Sequence, residues 1–141
     1  MIKIPNPGLR IAYKKDYKYQ LQQDYCLVTP VYPAAAIRSE YLTLSLVGVL
    51  SIKRGYAWDG PSGPALDTKN FIRGSLVHDA LYQLMGEHGL DIGHREEADQ
   101  LLRTICREDG MSALRAWWVY IGIKAWGGVY ASRNRPVAYA P

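Results

Sequence analysis

Gly55-Tyr-Ala-Trp-Asp-Gly-Pro-Ser-Gly-Pro64 divides this chain into two unlike halves. Three glycines and two prolines in ten residues hold a backbone by turn chemistry rather than by a strand ladder or a helix. Upstream the apolar period is two. Tyr17, Tyr19 and Leu21 alternate with Lys18, Gln20 and Gln22, and Tyr25–Val28 forms a second run closed by Thr29-Pro30. Val31–Glu40, broken by Pro33, reads as a connection. Leu42, Leu44 and Leu46 alternate again, and Leu50 and Ile52 continue past Gly48, where the pattern predicts a bend or bulge.

Downstream the period becomes helical. It predicts a first helix from about Asn70 to Met85, a Gly86–Gly93 connection, and a second helix over Arg95–Glu108 ended by Gly110. Ser112 is placed to cap a third helix that runs to Gly127. That helix is apolar nearly all round and is expected to be buried, with Trp117, Trp118 and Trp126 read as core aromatics or as an interfacial, partner-facing stripe. The predicted class is α+β: an N-terminal antiparallel β meander of three or four strands over 1–55, a Gly/Pro-rich loop over 56–69 and three helices over 70–127, the first two antiparallel. A tail, 128–141, completes a single domain.

The chain has 141 residues, 21% of them charged and 48% hydrophobic, which suits one globular core and excludes a disordered chain. Two cysteines, Cys26 and Cys106, make neither a disulfide scaffold nor a metal-ligand spacing. Met1–Arg10 contains two prolines and no apolar run, so no signal peptide is read, and no stretch is apolar for long enough to span a membrane. These features describe a soluble protein of a reducing compartment. The net charge of +4 permits nucleic acid or anionic lipid as a partner without requiring either. It is also partitioned. Residues 1–55 carry eight basic and three acidic side chains, residues 56–110 five and ten with all three histidines, and residues 111–141 four and none. The basic residues are scattered rather than clustered with aromatics, which argues against a nucleic-acid face.

The acidic centre holds the candidate chemistry. In His78-Asp79-Ala-Leu-Tyr82, Phe71, Gly74, Leu81 and Met85 fall within about 60° of His78 on a helical wheel, so the imidazole points into the packed face with Tyr82 beside it. A buried imidazole needs partners. Asp99, at the edge of the Ala98-Leu101-Leu102-Ile105 stripe on the antiparallel second helix, is placed to face it. A carboxylate on one ring nitrogen fixes the tautomer and leaves the other as a base. Asp79 on the flank, Asp59, and the carbonyls of Trp58 and Gly60 offer oxygens to a hard cation such as Ca2+. Two bland alternatives stand beside this. His78, Asp79, Tyr82 and Asp99 would equally form a polar network that specifies packing, and Trp58 would equally plug the core at a tight turn. His88 and His94 read as loop residues.

The run Trp58-Asp59-Gly60-x-Ser62-x-Pro64, His78-Asp79-x-x-Tyr82, Arg95-x-x-x-Asp99 resembles, over roughly residues 41–130, a family of small phage and prophage proteins classed as a domain of unknown function. That resemblance implies a phage origin, a location in the host cytoplasm or the virion, and phage structural or host proteins as partners. The His-Asp-x-x-Tyr pattern with a later Asp is also similar to secreted phospholipase A2. This likeness implies water activation by His78, calcium at Asp79 and the upstream loop, orientation by Asp99, support from Tyr82, and a lipid or other ester as substrate. The chain departs from that enzyme in lacking cysteines around His78, in its loop prolines and in its β-rich first half. HD-type phosphohydrolases need an upstream histidine that is absent, His88 and His94 lack ligand partners for zinc, and Gly60-Pro61-Ser62-Gly63 is not a nucleophile elbow.

Overall fold

A computed structural model describes residues 13–15, 19–58 and 69–132, with the side chains of 13–15 and 126–132 outside that description. Among the described residues, seven short strands precede three helices: β1 Tyr13–Lys15, β2 Tyr19–Leu21, β3 Tyr25–Val28, β4 Ile37–Arg38, β5 Leu42–Leu44, β6 Val49–Ile52, β7 Ala57–Trp58, α1 Lys69–Glu87, α2 Arg95–Glu108 and α3 Ala113–Ser132. The α+β order is as the sequence reads. The strand region, however, forms two antiparallel sheets, β1-β2-β7 and β3-β6-β5-β4, rather than one meander of three or four strands. The extra strands are short pieces: the three-residue β1 ahead of the first alternating run, and the two-residue β4 inside the Pro33 connection and β7 inside the breaker loop. Segments this short carry no readable alternation.

Gly48 bends the chain as the pattern predicts, at the hairpin turn between β5 and β6, with its N–H donating to the Ser45 carbonyl at 3.0 Å and Ser45 and Val49 closing the turn. Its φ of +83° lies in the left-handed region, and a Cβ there would sit 2.2 Å from the Thr29 carbonyl oxygen. That oxygen belongs to backbone held in place by Thr29, whose N–H and hydroxyl both donate to the Gly48 carbonyl. Gly48→Ala is therefore expected to cost about 2–4 kcal/mol, the sum of left-handed strain and overpacking. Urea unfolding checks this; a loss within 0.5 kcal/mol of zero, roughly the scatter of neutral surface changes, contradicts it.

The main core lies between sheet and helix. Leu42, Leu44, Leu50, Ile52 and Tyr56 meet Ile72, Leu76, Val77, Ala80, Leu81 and Leu84 of α1. Each such buried aliphatic side chain contributes about 1.5–3 kcal/mol. A second cluster of Phe71, Leu102, Cys106, Met111, Ala116 and Val119 joins all three helices. The helix buried on nearly every side is α1, not α3: Phe71–His78 are buried without interruption. It packs tightly on α2 at Gly74, where a Cβ would meet Leu102 Cδ1 at 2.8 Å and Cys106 Sγ at 3.0 Å.

The third helix departs from expectation twice. It continues through residues assigned to the tail, ending at Ser132, and it leaves Leu114, Trp117, Trp118 and Ile121 exposed. Trp117 and Trp118 are thus surface residues rather than core aromatics, and the side chain of Trp126 lies outside the described residues. Hydropathy marks a helix as apolar but not as covered; here α2 and α1 occupy only the Ala116-Val119 side. Ser112 caps α3 as read, its Oγ accepting from Arg115 N–H at 3.2 Å, and Gly110 with φ +99° ends α2. Residues 133–141, and Asp59 to Thr68 of the loop, lie outside the described residues. Among the described residues no helix is long and apolar enough to cross a membrane.

Candidate functional site

Antiparallel packing of α1 against α2 brings three sequence-selected side chains together. His78 and Tyr82 stand one turn apart on α1 and reach Asp99 in the first half of α2. Asp99 Oδ1 lies 2.7 Å from His78 Nε2 and accepts from the Tyr82 hydroxyl at 2.5 Å. The two rings tilt over each other with centroids 4.1 Å apart. Asp99 is wholly inaccessible, while His78 and Tyr82 keep 7% and 9% of their surface. Asp99 Oδ2 is buried with no hydrogen-bond partner among the described residues.

Protonation follows from these contacts. Burial first, then the bond to Asp99 and its charge, raise the Tyr82 phenol well above its ordinary value, so Tyr82 is a donor throughout the physiological range. A carboxylate has no proton to offer, so its contact with His78 uses an Nε2–H. In the neutral ring Nδ1 then carries the lone pair. The arrangement is an imidazole whose tautomer is set by a buried carboxylate that is itself held by a phenol.

The proposed cation ligands are placed less completely. Asp79 lies half-buried on the flank of α1. Trp58 closes β7, with its buried indole stacked on Tyr19 at 5.4 Å and its Nε1–H donating to Ser75 Oγ at 3.0 Å. Asp59 and Gly60 lie outside the described residues. Among the described residues no group of three or more His, Cys, Asp or Glu side chains is arranged to hold a metal ion. His94 is half-buried at the start of α2, its Nδ1 3.0 Å from Glu97 Oε1.

Sequence reasoning passed over Arg73. It is 4% exposed and ties α1 to Asp109, Glu108 and Tyr25. Its signal was present: a lone cation inside the apolar run Phe71-Ile72-Arg73-Gly74 demands an acidic partner. Ser75, which holds Trp58 and donates to the Ile72 carbonyl, gave no such signal. Nor did the link between Glu96 and Tyr120, whose hydroxyl donates to Glu96 Oε1 at 2.5 Å and holds that carboxyl below its usual range.

Cys106, in the second core cluster, is chemically quiet. Burial, with the Asp109 carboxylate next in effect, pushes its thiol from 9.0 up to about 12. The native protein is expected to resist alkylation at Cys106 until denaturant is added, as peptide mapping after a timed iodoacetamide pulse would show. Rapid native labelling of Cys106 would contradict it. Linkage has a definite sign here. The folded state holds a proton that the unfolded chain releases above 9.0, so stability from this group falls as pH rises from 9.0 to about 12. Tyr25 and Tyr82, both raised above 10.0 chiefly by burial, push the same way at higher pH.

The family described as a protein of unknown function, DUF1353, matches residues 36–123. No curated protein and no solved structure matches the chain. The matched span runs from β4 through most of the described part of α3 and includes the whole His78–Asp99–Tyr82 centre. With more than half of its length matched, the chain belongs to the DUF1353 family of proteins of unknown function.

Proposed function

We propose that this is a small phage-encoded hydrolase in which His78 activates water against an ester, with a phospholipid-like substrate as the favoured class. The observation that carries the reading is the single Asp99 oxygen that receives both His78 Nε2–H and the Tyr82 hydroxyl. Nδ1 would take a proton from water as the water oxygen bonds to the ester carbonyl carbon. The imidazolium, stabilised by Asp99, would then return that proton to the leaving alkoxide as the C–O bond breaks. Calcium is the proposed cofactor, with Asp79, Asp59 and the Trp58 and Gly60 carbonyls as ligands; it would supply Lewis-acid polarisation of the carbonyl.

A second reading has its own support. The near-complete burial of the centre suits a network that only pins α1 to α2 in a non-enzymatic phage protein, a virion component or a host-interaction factor.

Hydrolysis of a panel of short-chain and phospholipid esters, with calcium and with chelator, separates the two. The hydrolase reading expects turnover that drops about 10²–10⁴-fold in His78→Ala, the usual worth of a general base. Turnover equal in His78→Ala and wild type, or no turnover of any ester under either condition, would sink it and favour the structural reading.

A further inference from the structure

We infer that α3 is an interfacial helix that lays its exposed face on an anionic lipid surface. Leu114, Trp117, Trp118 and Ile121 follow the i, i+3, i+4, i+7 spacing of one helical stripe, and they are 68%, 42%, 62% and 37% exposed. The opposite face, Ala116, Val119 and Tyr120, is buried, with Ile123 packed beside it. The stripe is therefore a true outer face of a helix anchored to the body of the domain. Trp117 and Trp118 meet edge to face at 5.4 Å, a rigid aromatic pair at its centre.

Charge selects the occupant. Residues 111–141 contain four basic and no acidic side chains. Arg115 and Lys124 flank the stripe on opposite sides of the wheel, where long basic side chains reach headgroups while apolar residues enter the acyl boundary. On neighbouring α2, Arg103 lies over the Tyr120 ring at 5.7 Å, Glu96 Oε2 lies 3.4 Å from Lys124 Nζ in an exposed and therefore weak pair, and Glu108 and Asp109 are engaged by Arg73. A second copy docking the same face would bring two such basic segments together, which charge opposes. An anionic bilayer attracts them, and tryptophan is the side chain best suited to its interfacial layer. This inference stands apart from the hydrolase reading and needs no chemistry at His78.

The test is co-sedimentation of the full chain with phosphatidylcholine vesicles with and without phosphatidylglycerol, at low ionic strength, alongside tryptophan fluorescence. Binding is expected only with phosphatidylglycerol, with a blue shift. Leu114→Ser/Trp118→Ser, at exposed positions where folding should survive, is expected to bind about tenfold or more weakly. Arg115→Gln and Lys124→Gln are each expected to weaken it about fivefold. Absence of vesicle binding overturns the proposal. So does self-association without lipid that the Leu114/Trp118 variant abolishes, since that makes a second copy the occupant.

Discussion

Asp99→Ala is expected to destabilise the protein by about 3–5 kcal/mol, as removal of one member of a buried pair does. The substitution strands two donors at once, His78 Nε2–H and the Tyr82 hydroxyl, each at about 1–3 kcal/mol if left unpaired. It also opens a void where the carboxylate was wholly enclosed. Asp99→Asn behaves differently. Its carbonyl oxygen can stand where Oδ1 accepts both donors, and its amide falls where Oδ2 has no partner among the described residues. One unsatisfied polar group replaces another, so the loss is expected to be within about 1–2 kcal/mol. A neutral amide still cannot stabilise an imidazolium. Asn thus separates the two functional readings that Ala confounds: a structural network keeps all its behaviour, whereas an esterase loses turnover while keeping its fold. Denaturant titration of both variants is the check, and an Asp99→Ala midpoint close to wild type would show that the network contributes little.

The centre was legible because each step in finding it is local. His78 and Tyr82 share a face by helical spacing, the connection to α2 is short enough to force antiparallel packing, and Asp99 sits on that stripe. The boundaries of α2 were legible for similar reasons, with Glu96 and Glu97 in its first turn and Gly110 just beyond its end. What was not legible depends on distant partners. The two-residue strands β4 and β7 exist because β5 and β2 pair with them, and no property of Ile37-Arg38 or Ala57-Trp58 alone announces it. The exposure of α3 was not legible because its sequence is apolar nearly all round, and only the placement of the sheets and the other helices decides which helix is enclosed. α1 lies between the strands and the other helices, and α3 closes one side.

Arg73→Met is expected to cost about as much as the loss of Asp99, roughly 3–5 kcal/mol. The guanidinium is a three-way clamp. Nε and Nη2 donate to both Asp109 oxygens at 3.0–3.2 Å, Nη2 also reaches Glu108 at 2.9 Å, and Nη1 donates to the Tyr25 hydroxyl at 2.9 Å. It thereby fastens α1 both to the C-terminal end of α2, where a cation also complements the helix dipole, and to β3. Burial opposes its charge, but the bonds to Asp109 and Tyr25 outweigh that and hold its pKa above the ordinary value, so it stays charged. Methionine matches much of the aliphatic stem yet leaves the Asp109 carboxylate, 15% exposed, without its cation. Arg73→Lys should recover only part of the loss, because a point charge cannot serve Asp109, Glu108 and Tyr25 together. Arg73→Met/Asp109→Asn should lose less than the two single losses added, since the second change removes the stranded charge. Added salt should scarcely alter the result for a pair this enclosed. Thermal and urea unfolding of these three variants and of Asp109→Asn alone test the set. An Arg73→Met protein within about 1 kcal/mol of wild type, the worth of an exposed surface pair, would reduce the clamp to an ordinary surface contact.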